Sequence, residues 1–256
     1  MRSAGLLSGV SAKRGDFFIT WMVKSPRFAR STDAPYPRRV VIAELWRYPV
    51  KSLAGERLEE AELRADGIAG DRSLMVFDEH GRFVTARTRP RLLGLNATIG
   101  PSGEPLIGGA EWSSPAAAAA VRDAAGAGAR LASSAGHERR FDDTPVLIAT
   151  DGAIDHLGVD GRRLRPNILV AGVSGLAERG WPGQAVRAGA VELTVERLCK
   201  RCVVTTFDPD SLAQDAGVLA RINAGYDGRV ALNCRVVRPG HLRVGDSVEV
   251  RPHTPR

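Results

Sequence analysis

Residues 198–210 read Leu-Cys-Lys-Arg-Cys-Val-Val-Thr-Thr-Phe-Asp-Pro-Asp, and this stretch decides how the fold is interpreted. Two residues separate its two cysteines, and four β-branched residues follow Cys202. β-Branched side chains favour extended backbone over helix, so we predict a strand over residues 203–207. A thioredoxin-like cysteine pair lies at the start of a helix, whose dipole stabilises the thiolate. The stretch therefore argues against a thioredoxin-like fold.

The regions on both sides have the pattern of short strands with few helices. We predict three helices, at residues 115–125 with Ser114 as N-cap, at 151–157 and at 215–224. Short strands at irregular spacing fit a barrel or a strongly bent sheet better than alternating βαβ units, so we predict a mainly β protein. The predicted strands, of which the second and third form a hairpin, are 40–46, 71–77, 82–87, 144–150, 167–171, 191–197, 203–207, 229–237 and 247–251.

Charge and composition divide the chain into three parts. Residues 1–39 are predicted to be a disordered basic extension, because residues 1–40 contain eight Lys or Arg against two Asp. The net charge of +7 is thus concentrated at the start, and the body is almost neutral. We therefore predict no nucleic-acid partner. An alanine- and glycine-rich segment, 116–129, precedes a predicted boundary near residue 137, which separates residues 40–137 from 138–252.

Cysteine content and hydropathy indicate the compartment. Three cysteines are too few for a disulfide framework and indicate a reducing compartment, so we predict a cytoplasmic location. No apolar run approaches the roughly 20 residues that span a bilayer. We therefore predict no transmembrane segment.

Cys202 is the strongest candidate for chemistry. Lys200 and Arg201 precede it, and nearby cations favour a thiolate that can bind a soft metal. A zinc site would need about four ligands, and Cys199, Cys202, Cys234 and His241 supply that number with poor spacing. Cysteine is also a common small core residue, and we assign Cys199 and Cys234 to that class.

The pattern Cys-x-x-Cys-hydrophobic-hydrophobic-Thr-Thr-x-Asp-Pro-Asp resembles the signature of MOSC-domain molybdenum-cofactor proteins, especially the mitochondrial amidoxime reducing component and its bacterial relatives. Three further motifs extend the resemblance over residues 40–250: Tyr-Pro-Val-Lys-Ser at 48–52, Gly-Asp-Arg at 70–72 and Arg-Pro-Asn-Ile at 165–168. The resemblance implies an N-terminal MOSC-type β-barrel domain followed by a MOSC β-barrel domain, with a cofactor between them.

The resemblance also implies roles for individual residues. Cys202 becomes the molybdenum ligand, and Asp208 becomes a second catalytic residue that orients substrate or water, although Asp-Pro-Asp also suits an Asx turn. The motif Thr85-Ala86-Arg87 matches the family too, but four arginines within residues 82–91 are typical of a solvated face, so we assign Arg87 no catalytic role. Thr150 suits either a cofactor contact or a helix cap. The implied cofactor-binding residues are Lys51, Ser52, Arg72, Thr150, Arg165 and Asn167.

The activity implied by the resemblance is oxygen-atom abstraction from N-hydroxylated or N-oxide substrates by an oxidoreductase that depends on the molybdenum cofactor. Its electrons would come from a separate protein, a ferredoxin, cytochrome or flavoprotein. The same resemblance permits an alternative, a sulfur- or molybdenum-cofactor carrier module without turnover. It also implies pyridoxal phosphate binding at the level of the family.

Overall fold

The computed structural model describes residues 39–252, which belong to one compact unit rich in β-structure. The predicted mainly β class is confirmed. Four short 3₁₀ helices accompany three α-helices, α1 Pro115–Ala125, α2 Asp151–Leu157 and α3 Ala216–Tyr226. The strands are β1 Val41–Arg47, β2 Glu56–Leu58, β3 Glu60–Arg64, β4 Gly67–Ile68, β5 Leu74–Phe77, β6 Phe83–Val84, β7 Ala97–Ile99, β8 Pro105–Ile107, β9 Ala110–Glu111, β10 Arg130–Ser133, β11 Val146–Thr150, β12 Ile168–Ala171, β13 Gln184–Ala188, β14 Val191–Lys200, β15 Arg229–Arg238, β16 Gly240–Arg243 and β17 Val248–Pro252.

Eight strands form the largest sheet, in the order β17-β13-β14-β15-β11-β12-β1-β2. Only β11 and β12 pair in parallel, and all other neighbours are antiparallel. A bridge from Val41 to Ser247 also joins β1 to the residue before β17. Strand β3 pairs with β16 in a separate sheet, so strands from the first part of the chain pair with strands from the second. The domain boundary near residue 137 stays a prediction.

The main hydrophobic core draws on both ends of the chain. Ile42, Leu45 and Leu63 pack in the same cluster as Leu193 and Leu232, and all five side chains are buried. A second cluster packs α1 against the strand β5 and its neighbours, and a third packs α2 against α3. Burial of these apolar side chains is the main force that holds the strands of the two halves together.

Helix caps explain where the helices begin. Ser114 Oγ accepts a hydrogen bond from Ala117 N at 3.2 Å, and Asp215 accepts one from Gly217 N at 2.8 Å. These side chains satisfy backbone donors that the first helical turn leaves unpaired. The three predicted helices are confirmed, with α3 ending at Tyr226 rather than near residue 224.

The predicted strand over residues 203–207 is wrong, because Val203–Thr206 form a 3₁₀ helix. The hydroxyl of Thr205 donates to Cys202 O at 2.8 Å, and that of Thr206 donates to Val203 O at 2.7 Å. Threonine can bond in this way to a carbonyl three residues earlier, which competes with its preference for extended structure. Cys202 is therefore the residue directly before this 3₁₀ helix.

The predicted hairpin is present, because β5 and β6 pair in antiparallel fashion. The predicted basic extension lies outside the described residues, apart from residue 39. Among residues 39–252, no helix is both long enough and apolar enough to cross a membrane.

Candidate functional site

Three loops meet at the candidate site: residues 48–52 after β1, residues 70–73 before β5, and residues 165–167 before β12. The first two are joined by their backbones, since Arg72 N donates to Tyr48 O at 2.7 Å. Tyr48 N in turn donates to the fully buried carboxylate of Asp71, at 2.7 Å from Oδ1. These bonds make the two loops a single rigid platform.

A group of four cations, Lys51, Arg72, Arg87 and Arg165, lies at this platform and is called the cation cluster below. The guanidinium carbons of Arg72 and Arg165 lie 4.9 Å and 4.3 Å from the centre of the Tyr48 ring, within the range of cation–π contacts. Arg165 also donates to Leu53 O at 2.7 Å. The aromatic ring thus holds two guanidinium groups close together despite their like charge.

Burial changes the acidity of the groups around the Tyr48 ring. It raises the pKa of Tyr48 to about 12, against the opposing charges of Arg165 and Arg72. Burial, with the like charge of Arg72, also lowers the pKa of Arg165 to about 10. At neutral pH the phenol is therefore neutral and the guanidinium still charged. The phenol hydroxyl donates to Pro166 O at 3.1 Å, which ties the first loop to the third.

Asn167 is buried and holds the platform together from the third loop. Its amide nitrogen donates to Asp71 Oδ2 at 3.2 Å and to Trp46 O at 3.3 Å. Its amide oxygen accepts a bond from Leu147 N at 3.2 Å, and Arg72 lies at 3.4 Å from the same oxygen. The structure therefore brings Asn167, Arg72 and Arg165 together, as the sequence predicts.

Asp142 joins Lys51 to Arg87 near Cys202. Lys51 Nζ lies 2.8 Å from Asp142 Oδ1, and Arg87 donates to Asp142 Oδ2 at 2.7 Å. The side chain of Cys202 helps to raise the pKa of the Arg87 guanidinium. Lys51 makes a further hydrogen bond to Arg139 O. The predicted phosphate-binding lysine and the predicted metal-binding thiol thus belong to one site.

The electrostatics of this set follow from opposite charges in a partly buried place. The pKa of Asp142 is lowered overall. Burial alone would raise it, but the charge and hydrogen bond of Lys51, with the charges of Arg87 and Arg72, have the larger combined effect. Burial lowers the pKa of Lys51 despite the opposing effect of Asp142. The pKa of Arg87 is raised overall. Burial alone would lower it, but the effects of Cys202 and Asp142 are together larger.

Cys202 is half-buried and lies between the end of β14 at Lys200 and the 3₁₀ helix that begins at Val203. The sequence predicts that its neighbours Lys200 and Arg201 supply the nearby cations. Arg201 instead donates to Cys199 Sγ at 3.1 Å and to Leu164 O at 2.8 Å. The cation whose pKa the Cys202 side chain raises is Arg87, more than a hundred positions earlier in the chain.

Three predicted binding residues have an unusual backbone conformation. Ser52, Arg72 and Arg165 have φ values of 76°, 47° and 53°, in the left-handed region that residues with a Cβ rarely adopt. Six non-glycine residues of the described part have such values, so half of them belong to this site. Backbone strain of this kind concentrates at functional sites, which supports a binding role for this platform.

Thr150 and Asp208 make structural contacts in their own segments. Thr150 is fully buried, and its hydroxyl accepts from Ala153 N at 3.2 Å as the cap of α2. Asp208 Oδ1 accepts from Ser211 N at 3.0 Å, and Oδ2 accepts from Arg163 at 3.1 Å. These are the contacts of a helix cap and of an Asx turn. The cofactor-binding role of Thr150 and the catalytic role of Asp208 stay predictions.

The zinc alternative is not supported. Among residues 39–252, no three or more His, Cys, Asp or Glu side chains are grouped so as to hold a metal ion. Cys234 is fully buried, and burial raises the pKa of its thiol, whereas His241 lies exposed on β16. Cys234 is thus a core residue, as predicted.

A cavity of about 130 Å³ borders the platform on the side of Tyr48 and Arg165. Arg162, Arg163 and Phe207 also line it, whereas Cys202 does not. Its lining of aromatic rings and guanidinium groups suits a flat, electron-rich group next to the cation cluster.

The donor set fits the cofactor that the resemblance implies, a pterin that carries a phosphate and a soft metal. The cation cluster has four positive charges, and its contacting carboxylates, Asp71 and Asp142, supply two negative ones. The excess positive charge suits a phosphate, and a half-exposed thiol suits a soft metal. Next to the platform, Nε of Arg140 is buried without a hydrogen-bond partner in the described part of the chain.

Sequence reasoning missed Tyr48, Asp71, Arg87 and Asp142 as residues of the site. Arg87 had a signal, because the motif Thr85-Ala86-Arg87 matches the family. Its position among other arginines led to the opposite interpretation. Asp142 lies in none of the motifs that resemble the family, and its position is set by long-range contacts.

Two relatives are similar to most of the chain. Mitochondrial amidoxime-reducing component 1 of Mus musculus is 28% identical over a match that covers 77% of this chain and 73% of that protein. The protein of the same name from Homo sapiens is 29% identical, with 70% and 68% covered. Among solved structures, the YuaD protein from Bacillus subtilis matches 84% of this chain and 97% of its own, with 14% identity and a TM-score of 0.47.

Two family models match consecutive parts of the chain. One, described as the MOSC N-terminal beta barrel domain, matches residues 39–130. The other, described as the MOSC domain, matches residues 142–249. Together they cover nearly all the described residues and lie in the order that the sequence predicts. The chain therefore belongs to the MOSC-domain family.

Proposed function

We propose that this chain is an oxidoreductase that uses the molybdenum cofactor to remove an oxygen atom from N-hydroxylated or N-oxide substrates. The observation that carries the proposal is the bridge by Asp142 between Lys51 and Arg87, together with the effect of the Cys202 side chain on the pKa of Arg87. It joins a soft-metal ligand to a site for an anionic organic group. The relatives named amidoxime-reducing components support this class of reaction.

In this proposal, the side chains of the site hold and orient the cofactor. The sulfur of Cys202 binds the metal, and Lys51, Arg72 and Arg165 bind the phosphate with Ser52 as a hydroxyl donor. Asn167 and Asp71 keep Arg72 in place. When bound, the cofactor supplies the two-electron chemistry that removes oxygen from nitrogen. For a hydroxylamine the balance is one substrate, two electrons and two protons to one amine and one water.

The proposal includes partners and a compartment. The two electrons of each turnover come from a separate ferredoxin, cytochrome or flavoprotein. A reducing compartment, the cytoplasm, keeps Cys202 in the thiol form. Pyridoxal phosphate, the other ligand predicted for the family, would bind through its phosphate to the same cations.

Metal and pterin analysis of the purified protein tests the proposal. We expect molybdenum and pterin near one per chain, and turnover of an amidoxime with an artificial reductant. Cys202→Ala should abolish turnover with an unchanged circular dichroism spectrum, because the cysteine is only partly buried. Cys199→Ala is the matched control and should remain active. An active Cys202→Ala variant would refute the ligand assignment.

The same preparation distinguishes the carrier alternative. Metal-free wild-type protein with a labile sulfane sulfur on Cys202, and no turnover after cofactor loading, would favour a sulfur or cofactor carrier. A persulfide forms on an accessible thiol, so Cys202→Ala would lose this sulfur, whereas Cys234→Ala would retain it because Cys234 is buried.

A further inference from the structure

The cavity beside the platform has no role in the proposed function. It has a volume of about 130 Å³ and is lined by Trp46, Tyr48 and Leu93 from the first part of the chain and by Arg165 and Phe207 from the second. Of the residues assigned to the cofactor, only Arg165 lines it. We infer that this cavity is a second binding site, which takes a small aromatic carboxylate with one ring and one acidic group. This inference goes beyond the proposed function and does not depend on it.

The volume of the cavity limits its ligand to a single ring. In another protein, an apolar cavity of about 150 Å³ holds one benzene molecule. The pterin of the molybdenum cofactor consists of fused rings and carries a phosphate, so it does not fit within about 130 Å³. The cavity therefore takes a smaller ligand than the cofactor.

Aromatic side chains form much of the wall of the cavity. Trp46, Tyr48 and Phe207 all line it, and so does Gly55. A Cβ at Gly55 would lie 2.5 Å from Cδ1 of Tyr48, so only a residue without a side chain lets this loop lie against the ring. The Tyr48 hydroxyl donates to Pro166 O at 3.1 Å, which holds the ring from its other end. Fixed aromatic walls favour a flat ring as ligand, through offset-stacked or edge-to-face contacts.

Arg165 brings to the cavity a positive charge that has no carboxylate partner among residues 39–252. Its guanidinium donates to Leu53 O at 2.7 Å and lies 4.3 Å from the centre of the Tyr48 ring. A guanidinium has several N–H donors in a planar fork, which matches the two oxygens of a carboxylate. Arg165 therefore retains donors for a carboxylate in the cavity as well as for a phosphate on the platform.

The other arginines of the cavity are already paired with carboxylates. Arg162 makes two hydrogen bonds to Asp210, at 2.8 Å and 2.7 Å, and Arg163 donates to Asp208 at 3.1 Å. Asp210 also lines the cavity, but Arg162 balances its charge, so it repels an anionic ligand only weakly.

The cavity has a closed end and an open end. The side chain of Asp210 is 74% exposed, whereas Tyr48 is buried. A ligand therefore enters beside Asp210 and meets Arg165 at the inner end, next to the Tyr48 ring. Charge-assisted hydrogen bonds are strongest in such a place, because little water competes for them.

Isothermal titration calorimetry with benzoate tests the inference on cofactor-loaded and on metal-free protein. We expect benzoate to bind both preparations, at least about 10-fold more tightly than acetate, which lacks the ring, or benzamide, which lacks the charge. Equal affinities for the three compounds would contradict the assigned ligand class. Binding to the metal-free protein alone would show that the cofactor occupies the cavity, which would overturn the inference and leave the proposed function intact.

Two variants test whether benzoate binds in this cavity. Ala54→Leu enlarges a side chain of the wall without changing the charge and should abolish measurable binding, whereas Ala119→Leu, at an exposed position of α1, should bind like the wild type. Arg165→Met should weaken binding by about 10-fold or more, and Arg165→Lys should restore part of the loss. Arg91→Met is the charge control, because Arg91 is exposed and pairs with Asp123.

The outcomes separate this inference from the proposed function. If Ala54→Leu binds benzoate as tightly as Ala119→Leu, or if the wild type does not bind benzoate, the inference is overturned and the proposed function stands. Wild-type protein that binds benzoate but lacks molybdenum and turnover would overturn the proposed function alone. A thermal unfolding transition for each variant shows that it is folded, and the result for Ala54→Leu decides the matter if Arg165→Met does not fold.

Discussion

Tyr48 shows how one side chain organises the candidate site. Its ring contacts the guanidinium groups of Arg72 and Arg165, and its hydroxyl donates to Pro166 O. The ring attracts both cations through its negative face, while burial keeps the phenol neutral. A residue from the first part of the chain thus positions a binding residue from the second part.

Lys51→Met tests whether the cation cluster binds phosphate. Inorganic phosphate should raise the melting temperature of the wild-type protein, because a ligand that binds only the folded state stabilises it. The variant lacks one nearly buried charge and leaves Asp142 without its ammonium partner, so we expect a smaller rise. Lys200→Met removes an exposed lysine from the end of β14 and should respond like the wild type. Equal rises in Lys51→Met and wild type would contradict the binding role.

Asp208→Asn gives a prediction with a definite pH dependence. The hydrogen bond from Ser211 N, against an opposing effect of burial, lowers the pKa of Asp208. A lowered folded-state pKa contributes stability above the unfolded value near 3.9, and this stability is lost as pH falls through the folded value. We expect the variant to lower the free energy of unfolding by at most about 1 kcal/mol at pH 7. In urea titrations the difference should shrink towards zero below about pH 3, and a difference that grows there would contradict it.

At the scale of elements, the 3₁₀ helix Val203–Thr206 sets the geometry at Cys202. Two threonine hydroxyls bond to the carbonyls of Cys202 and Val203, which turns the chain directly after the cysteine. Gln214 donates to the Thr206 hydroxyl at 3.2 Å and attaches the helix to the segment before α3. Because of this turn, the chain after Cys202 does not continue as an extended strand.

Thr205→Val tests this element. The substitution removes the hydroxyl that bonds to Cys202 O, and valine favours an extended backbone. Because the Thr205 side chain is fully buried, we expect a loss of about 1 to 2 kcal/mol in the free energy of unfolding and a lower molybdenum content. Thr205→Ser keeps the hydroxyl and should lose much less. A loss for serine as large as that for valine would show that the methyl group contributes as much to the turn as the hydrogen bond does.

At the scale of the whole molecule, the described unit is held together by pairing between distant strands. Strand β1 pairs with β12, and Val41 bridges to Ser247. The apolar side chains of β1 and β3 complete the main core under strands of the second part. The two segments that match the family models therefore share sheets, and neither segment forms its sheets entirely by itself.

A fragment of residues 138–252 should not fold alone. It lacks β1, so β12 would expose an unpaired edge, and the main core would lose Ile42, Leu45 and Leu63. We expect no cooperative unfolding transition for the fragment and recovery of the transition on coexpression with residues 39–137. A well-folded isolated fragment would instead support the predicted domain boundary as a folding boundary.

Helix caps and the hairpin could be predicted because they depend on interactions between residues that are close in the chain. Ser114 and Asp215 cap the helices that follow them, and these caps depend on neighbours within three residues. The hairpin β5–β6 likewise needs only a short turn. The 3₁₀ helix was not predicted, because the β-branched run favours a strand and the threonine hydroxyls favour a turn, and propensity alone does not decide between them.

The sequence by itself determined the β-rich class, the helix positions, the family motifs and the choice of Cys202, since each depends on residue types at short spacing. Only the tertiary structure decided that Asp142 joins Lys51 to Arg87, and that Cys202 affects the pKa of this distant arginine. The reason is physical: Arg87, Asp142 and Cys202 lie far apart in the chain, and the pairing of distant strands and the burial of a shared core bring them together.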